Sequence, residues 1–488
     1  MSALFVPRHW RDLNGIAPGG SNGQQLLLDS ATGELYWSTP PTVPTDLAQL
    51  GGFPAWSGAA DNQVLKKLAG SNALYWATDL AGSGSASYGA EFVNMLDPAF
   101  GVDQTGATDT TAAMNAVLST YKNVYIPNPT TKYKISGSLI PQSGARIYGG
   151  RNTQIQMYAD APVWDLTNKT GVVLCGIQGN NQFASIGGTV TSNSVLFKMH
   201  GTTATCSNNY IIQCSGGGGG YYGISYTGQC NYNWVDMSYL FGNVSGFYCD
   251  LANPYTYGHV MNSALLGNGV GAYDILMDGC DTGHMANIHC GGGIYLRAAN
   301  HVVGGQTFSY LQIENTARNV IECGGSNFSV VECAFNGIEC FTGAYDILLN
   351  SNTSGVQFNG GQIRSGVNIK DYGSRNKFTG LYQRGDGGGV KSIFAGTDTT
   401  ISGNTFGGIV QLDSTFTGSV SGNVFIITPS IHATAGANAN FSGGNIWPGM
   451  DATSITAAPL FKKQRAYVGS NIYEAKGTAS SADWVLLG

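Results

Sequence analysis

The chain is poor in charge. Of its 488 residues, 23 are Lys or Arg and 29 are Asp or Glu, so charged side chains make up 11%, against roughly 25% in an ordinary globular protein. The net charge is −6 and no Lys/Arg run occurs. That argues against nucleic acid as a partner, because phosphate binding needs clustered cations. No uninterrupted apolar stretch is long enough for a transmembrane helix, so no membrane span is expected. The opening residues, MSALFVPRHWRDLNG, lack a basic segment followed by an apolar core, and no secretory signal is expected. HExxH and EF-hand patterns are missing. The glycine run Gly216–Gly220 lacks the Lys-Ser/Thr of a phosphate loop and reads as a surface turn. The ten cysteines, from Cys175 to Cys340, are irregularly spaced with no CxxC pair. Zinc binding is therefore not expected. In the absence of a signal peptide the thiols read as reduced, small core side chains. No cofactor or metal is expected.

Glycine, by contrast, is abundant at 71 residues, and the apolar share is an ordinary 42%, which excludes a disordered chain. From about Cys175 to Phe425 the sequence breaks into very short strand-like pieces between Gly and Asn turns, such as NVIECGG, NFSVVECAFNG and GVQFNGGQI. Three such pieces, about 25 residues together, fit one coil of a parallel β-helix. Recurrent Asn-x-apolar starts fit tight bends, where Asn tolerates left-handed backbone angles. The low charge agrees with a coil interior of stacked Val, Ile, Leu, Phe and Cys and an outside of Ser, Thr, Asn and Gly.

The first eighty residues hold a repeat. GQQLLLDSATGELYWST from Gly23 aligns without a gap on NQVLKKLAGSNALYWAT from Asn62, placing Leu35-Tyr36-Trp37 on Leu74-Tyr75-Trp76. Each half reads as a small hairpin, and the Pro-rich stretch between them as extended chain. The Gln-x-Leu, turn, Tyr-Trp pattern resembles short repeats in the N-terminal parts of bacteriophage tail fibres and tailspikes. After a Gly/Ser linker, Thr108 or Asp109 can cap a helix running to about Tyr121, with Ala112, Ala113 and Val117 on its buried side. The stretch with Phe100-Gly101-Val102, Thr108-Asp109-Thr110-Thr111-Ala112, Val124-Tyr125-Ile126-Pro127 and Tyr133-Lys134-Ile135 resembles the start of pectate-lyase-like right-handed β-helices. It departs from their pattern at Thr110 and in lacking a Gly after the Pro. The expected fold is all-β: a right-handed parallel β-helix with a small N-terminal β-hairpin head and a short C-terminal β piece. The expected domains are a head at 1–82, a linker and capping helix at 83–125, the β-helix at 126–445 and a terminal cap at 446–488. The last contains the densest basic cluster, Lys462, Lys463 and Arg465.

One internal period concerns chemistry. Ile288-His289, Ile313-Glu314, Ile338-Glu339 and Ile363-Arg364 recur every 25 residues. If that is the coil length, His289, Glu314, Glu339 and Arg364 form one outward column with steps of ~4.8 Å. Glu314 and Glu339 are then candidate catalytic carboxylates, because glycoside hydrolysis uses two carboxyl groups and like charges so close raise one pKa. His289 and Arg364 flank them as candidate ligand-binding residues, beside Tyr310. Asp236 is a third catalytic candidate, next to Trp234, whose ring could stack on a sugar. Asp278 and Asp281, flanking Cys280 with His284 nearby, read as a turn.

The order of repeats, capping helix, solenoid and terminal piece resembles a phage tailspike or tail fibre. That resemblance implies a virion tail protein assembled in the host cytoplasm, usually a homotrimer. Such a protein docks on other tail proteins through its N-terminal region and binds host surface polysaccharide, capsule or lipopolysaccharide. Two functions stay open: a depolymerase, glycosidase or lyase, and a non-enzymatic structural or receptor-binding tail protein, since the fold serves both.

Overall fold

A computed structural model describes the strands Gln25–Leu28, Leu35–Ser38, Gln63–Lys67 and Leu74–Thr78, and residues 92–445 except 151, 218, 252–254, 268–271, 316–318, 326, 343–345, 365–366, 385–390, 427–430, 434–436 and 442–444. It also describes residues 465–468, 471–477 and 481–486. The chain divides into two units, Met1–Ala86 and Ser87–Gly488.

In the first unit each sequence repeat is an antiparallel hairpin, with Leu26 opposite Trp37 in one and Leu65 opposite Trp76 in the other. The Pro-rich connection, the Gly/Ser linker, Lys462 and Lys463 lie outside the described residues.

The second unit is a right-handed parallel β-helix. One sheet has 12 strands, one per coil, and a second has 23. The 12-stranded sheet stacks Phe197, Ile224, Phe247, Ile275, Ile294, Ile321, Ile347 and Ile369 in one buried column. Strand alternation puts every second residue inside, and apolar area stacked coil on coil supplies the main stabilisation. Along the 23-stranded sheet, Phe308, Phe335, Phe358 and Phe378 stack with centroids 4.7, 4.8 and 5.3 Å apart and planes within 8°. All ten cysteines are free, nine of them buried.

Two strands of each coil meet at a bend whose central residue has a positive φ: Asn262, Asn287 and Tyr310, then Gly337, Gly360, Gly380, Gly403 and Gly422. Asparagine thus does take left-handed bends, but the asparagines that open strands do something else. Asn209, Asn233, Asn376, Asn404 and Asn423 are fully buried and join coils through their amides. Asn423 Oδ1, for example, accepts from both the backbone N–H and the side-chain amide of Asn404, each at 3.0 Å. The glycine run is a turn only in its second half, at Gly219 and Gly220. Gly216 and Gly217 belong to the strand Ser215–Gly217, with φ of 124° and 136°. A Cβ on either would run into the backbone carbonyl of Gly179 or Phe241 on the neighbouring coils.

A helix, Thr111–Thr120, covers the first coil. Its N-cap is Thr110, and the buried residues are Met114, Val117 and Leu118, whereas Ala112 is exposed. Asp109 instead accepts from the Thr111 N–H at 2.9 Å and from the Ser136 hydroxyl, tying the helix start to the coil below. At the far end, Arg465–Val468, Asn471–Ala475 and Trp484–Leu486 form a three-stranded antiparallel sheet.

Candidate functional site

Ile288, Ile313, Ile338 and Ile363 are all buried, so the inward–outward alternation read from the 25-residue period is right. The register read from it is not. His289 pairs with Gln312, Gln312 with Glu339, and Glu339 with Gln362. The coils are unequal: 23 residues separate His289 from Gln312 and 27 separate Gln312 from Glu339. Glu314 and Arg364 lie two residues further along their strands, beside the Gln312 and Gln362 column. The four residues therefore zigzag between two neighbouring columns. Glu314 and Glu339 are diagonal neighbours, about 8 Å apart at Cα, and not a directly stacked pair.

The zigzag remains a contiguous stripe. His289 Nε2 lies 3.4 Å from Glu314 Oε1, and Gln312 Nε2 donates to the same oxygen at 3.4 Å. Arg364 is held against the ring of Phe341, 4.2 Å from its centroid. Beside the stripe is a cleft of about 260 Å³ lined by Asn287, His289, Tyr310, Gln312, Gly337 and Glu339, with Ile288 and Leu311 beneath. Tyr310 forms one wall. It stands 73% exposed at a left-handed φ of 55°, and its ring lies over Gly337 of the next coil, where a Cβ would come within 3.4 Å. Behind His289, Asp274 is fully buried and accepts from the N–H groups of Gly267 and Gly292 at 2.5 and 2.6 Å. Burial pushes its pKa up to about 6 despite those two bonds.

Asp236 and Trp234 lie two coils before the cleft, and Asn287 of the cleft lining reaches Asp236 through Asn262, to which it donates at 2.9 Å. Asp236 accepts from Asn262 Nδ2 at 2.9 Å. Trp234 stacks between Tyr210, at 6.3 Å and 15°, and His259, at 4.2 Å and 29°. His259 lies closely against one indole face, while Tyr210 on the other side is nearly parallel but more widely spaced.

The 12-stranded sheet carries a polar cluster that the sequence reading passed over. Asp278 is no simple turn residue. It sits at an irregularity between Cys249 and Asp250 of the adjoining strand. It is 1% exposed and binds Arg297 through two bonds, at 2.6 and 2.5 Å. Tyr248 donates to it at 3.1 Å and stacks on Tyr222, 4.3 Å away. Burial raises the pKa of nearby Asp250, with the Asp278 charge adding to the effect. The available signal was Arg297 itself, one of few cations, roughly one coil after an Asp. Asp278 is sealed from water, so it reads as the anchor of Arg297 and not as a base. Among the described residues no group of three His, Cys, Asp or Glu is placed to hold a metal ion, and no helix is long and apolar enough to cross a membrane.

No family model matches the chain, and no curated protein does. Solved structures do. Tailspike protein 3 of bacteriophage CBA120 superposes with a TM-score of 0.50 at 12% identity, over 87% of this chain and 73% of that one. The N-terminal fragment of bacteriophage phi29 gene product 12 gives 0.46 at 14% identity, over 73% and 70%. The A-module of Azotobacter vinelandii mannuronan C-5 epimerase AlgE6 gives 0.45 at 12%, over 73% and 99%. The β-helix is thus a fold shared with phage tailspike proteins.

Proposed function

We propose that the protein is a phage tail component of the tailspike type that binds host surface polysaccharide on the outside of its β-helix. The cleft at Tyr310 carries this reading. An exposed aromatic ring stands beside an imidazole, an amide and a carboxylate drawn from three successive coils, and carbohydrate recognition needs that combination of an apolar face and converging polar groups. The head of residues 1–82 docks on other tail proteins, and residues 446–488 join three copies.

A second reading adds cleavage. Glu339 lines the cleft and Glu314 stands at its edge on the preceding coil beside His289, and glycoside hydrolysis uses such a pair of carboxyl groups. Incubating the purified protein with surface glycan from susceptible bacteria separates the readings. Retention of the glycan with unchanged chain length supports binding alone. Shortened chains support cleavage, and Glu314→Gln and Glu339→Gln should then each lower the rate by about 100-fold or more while glycan retention persists. A protein that neither retains nor shortens any such glycan does not have this function.

A further inference from the structure

We propose that the cleft at Tyr310 selects a glycan whose bound sugar carries no carboxylate or phosphate group. The inference rests on the polysaccharide-binding reading above and adds the chemical class of the ligand.

The charges around the cleft share one sign. Its lining contains Glu339 and no Lys or Arg. Glu314 reaches the edge through His289, 3.4 Å away. Asp274 is buried behind the same imidazole. Arg364, two residues past the column that follows Glu339, is held against Phe341 and is not among the lining residues. An acidic sugar would bring a like charge against Glu339 at short range, an arrangement that binding sites use to exclude a ligand. What the cleft offers instead suits hydroxyl and amide groups: a carboxylate and the amides of Gln312 and Asn287 for hydrogen bonds, and the ring of Tyr310 for an apolar sugar face.

Nothing in the fold requires the ring of Tyr310. At the same bend Gln213, Met237, Asn262 and Asn287 come before it and five glycines after, so the bend itself does not call for a ring. An aromatic residue there is disfavoured and adds nothing to the core, since it is 73% exposed. The ring lies against Gly337 of the next coil.

The test is a glycan array of neutral, N-acetylated, uronate-bearing, sialylated and phosphorylated oligosaccharides, probed with the full chain. Binding should be confined to the neutral and N-acetylated members and should change little up to about 0.5 M salt, because no ion pair is formed with the ligand. Tyr310→Ala should weaken it by about tenfold. Glu339→Gln should raise the ratio of uronate to neutral binding, because it removes the like charge while keeping one hydrogen-bond acceptor. Selective binding of carboxylated or phosphorylated glycans, lost in Tyr310→Ala, overturns this inference and leaves the polysaccharide reading standing. Binding to no member of the array, nor to surface extracts of susceptible bacteria, overturns that reading itself.

Discussion

Asp274 shows how one side chain ties local structure to pH. Its carboxylate closes two glycine turns, at Gly267 and Gly292, in a position without solvent. Burial favours the neutral acid, so the folded pKa is raised to about 6, above the unfolded value of about 3.9. The protonated acid is bound more strongly by the folded state, and its contribution is complete below about pH 4. It is lost as pH rises through about 6. Asp274→Asn should therefore flatten the dependence of Tm on pH across that window, while lowering Tm throughout because an amide cannot accept from both N–H groups. A variant whose Tm follows the wild-type pH profile would show that Asp274 does not titrate there. At this scale the sequence was partly legible. Alternation placed Ile288 and Ile313 inside and their neighbours outside. The partners of Asp278 were not legible, because a carboxylate and an arginine nineteen residues apart look unrelated until a short coil brings them together.

Among elements, the side-chain stacks decide how coils stay aligned. Phe358 lies between Phe335 and Phe378 with no exposure. Phe358→Ala should cost about 3–5 kcal/mol in urea unfolding, from lost transfer energy and the cavity left behind. The asparagine ladder is the polar counterpart. Asn423→Ala removes the acceptor of a buried Asn404 N–H and the donor to the Ile401 carbonyl. It should cost about 1–3 kcal/mol, with amide exchange rising first at Asn404. Unchanged protection at that amide would mean that another group replaces the ladder. Asn at the start of strands was visible in the sequence. Its role was misread because a left-handed bend and an interior amide ladder favour the same residue. The capping helix was read one turn of reasoning too locally: Ala112 and Ala113 are small and apolar, but Met114 and Leu118 are the side chains long enough to reach the first coil.

At the scale of the whole molecule, the solenoid and its two kinds of terminal β structure were legible because short strands between Gly and Asn turns admit few other folds. Subunit association is an expectation drawn from the same low charge. A long β-helix with a mostly neutral exterior should associate, and native mass measurement is expected to show three chains. Removal of residues after Asn445 is expected to shift that species to monomer while leaving the circular dichroism of the β-helix largely intact. A full-length chain that stays monomeric at micromolar concentration would refute the trimer. The register of the candidate stripe was lost at this scale, because it was counted from an even period that the coils do not keep.

The phenylalanine column holds the count instead. Gln312, Glu339, Gln362 and Tyr382 each follow a stacked phenylalanine by four residues, although the phenylalanines themselves are 27, 23 and 20 residues apart. Each coil is indexed from its own interior mark, and the turns take up whatever length remains. Turns in such a chain can be lengthened or trimmed without scrambling the order of side chains on the outer face. A ligand surface written there is thereby insulated from insertions and deletions in the loops, and free to change one letter at a time.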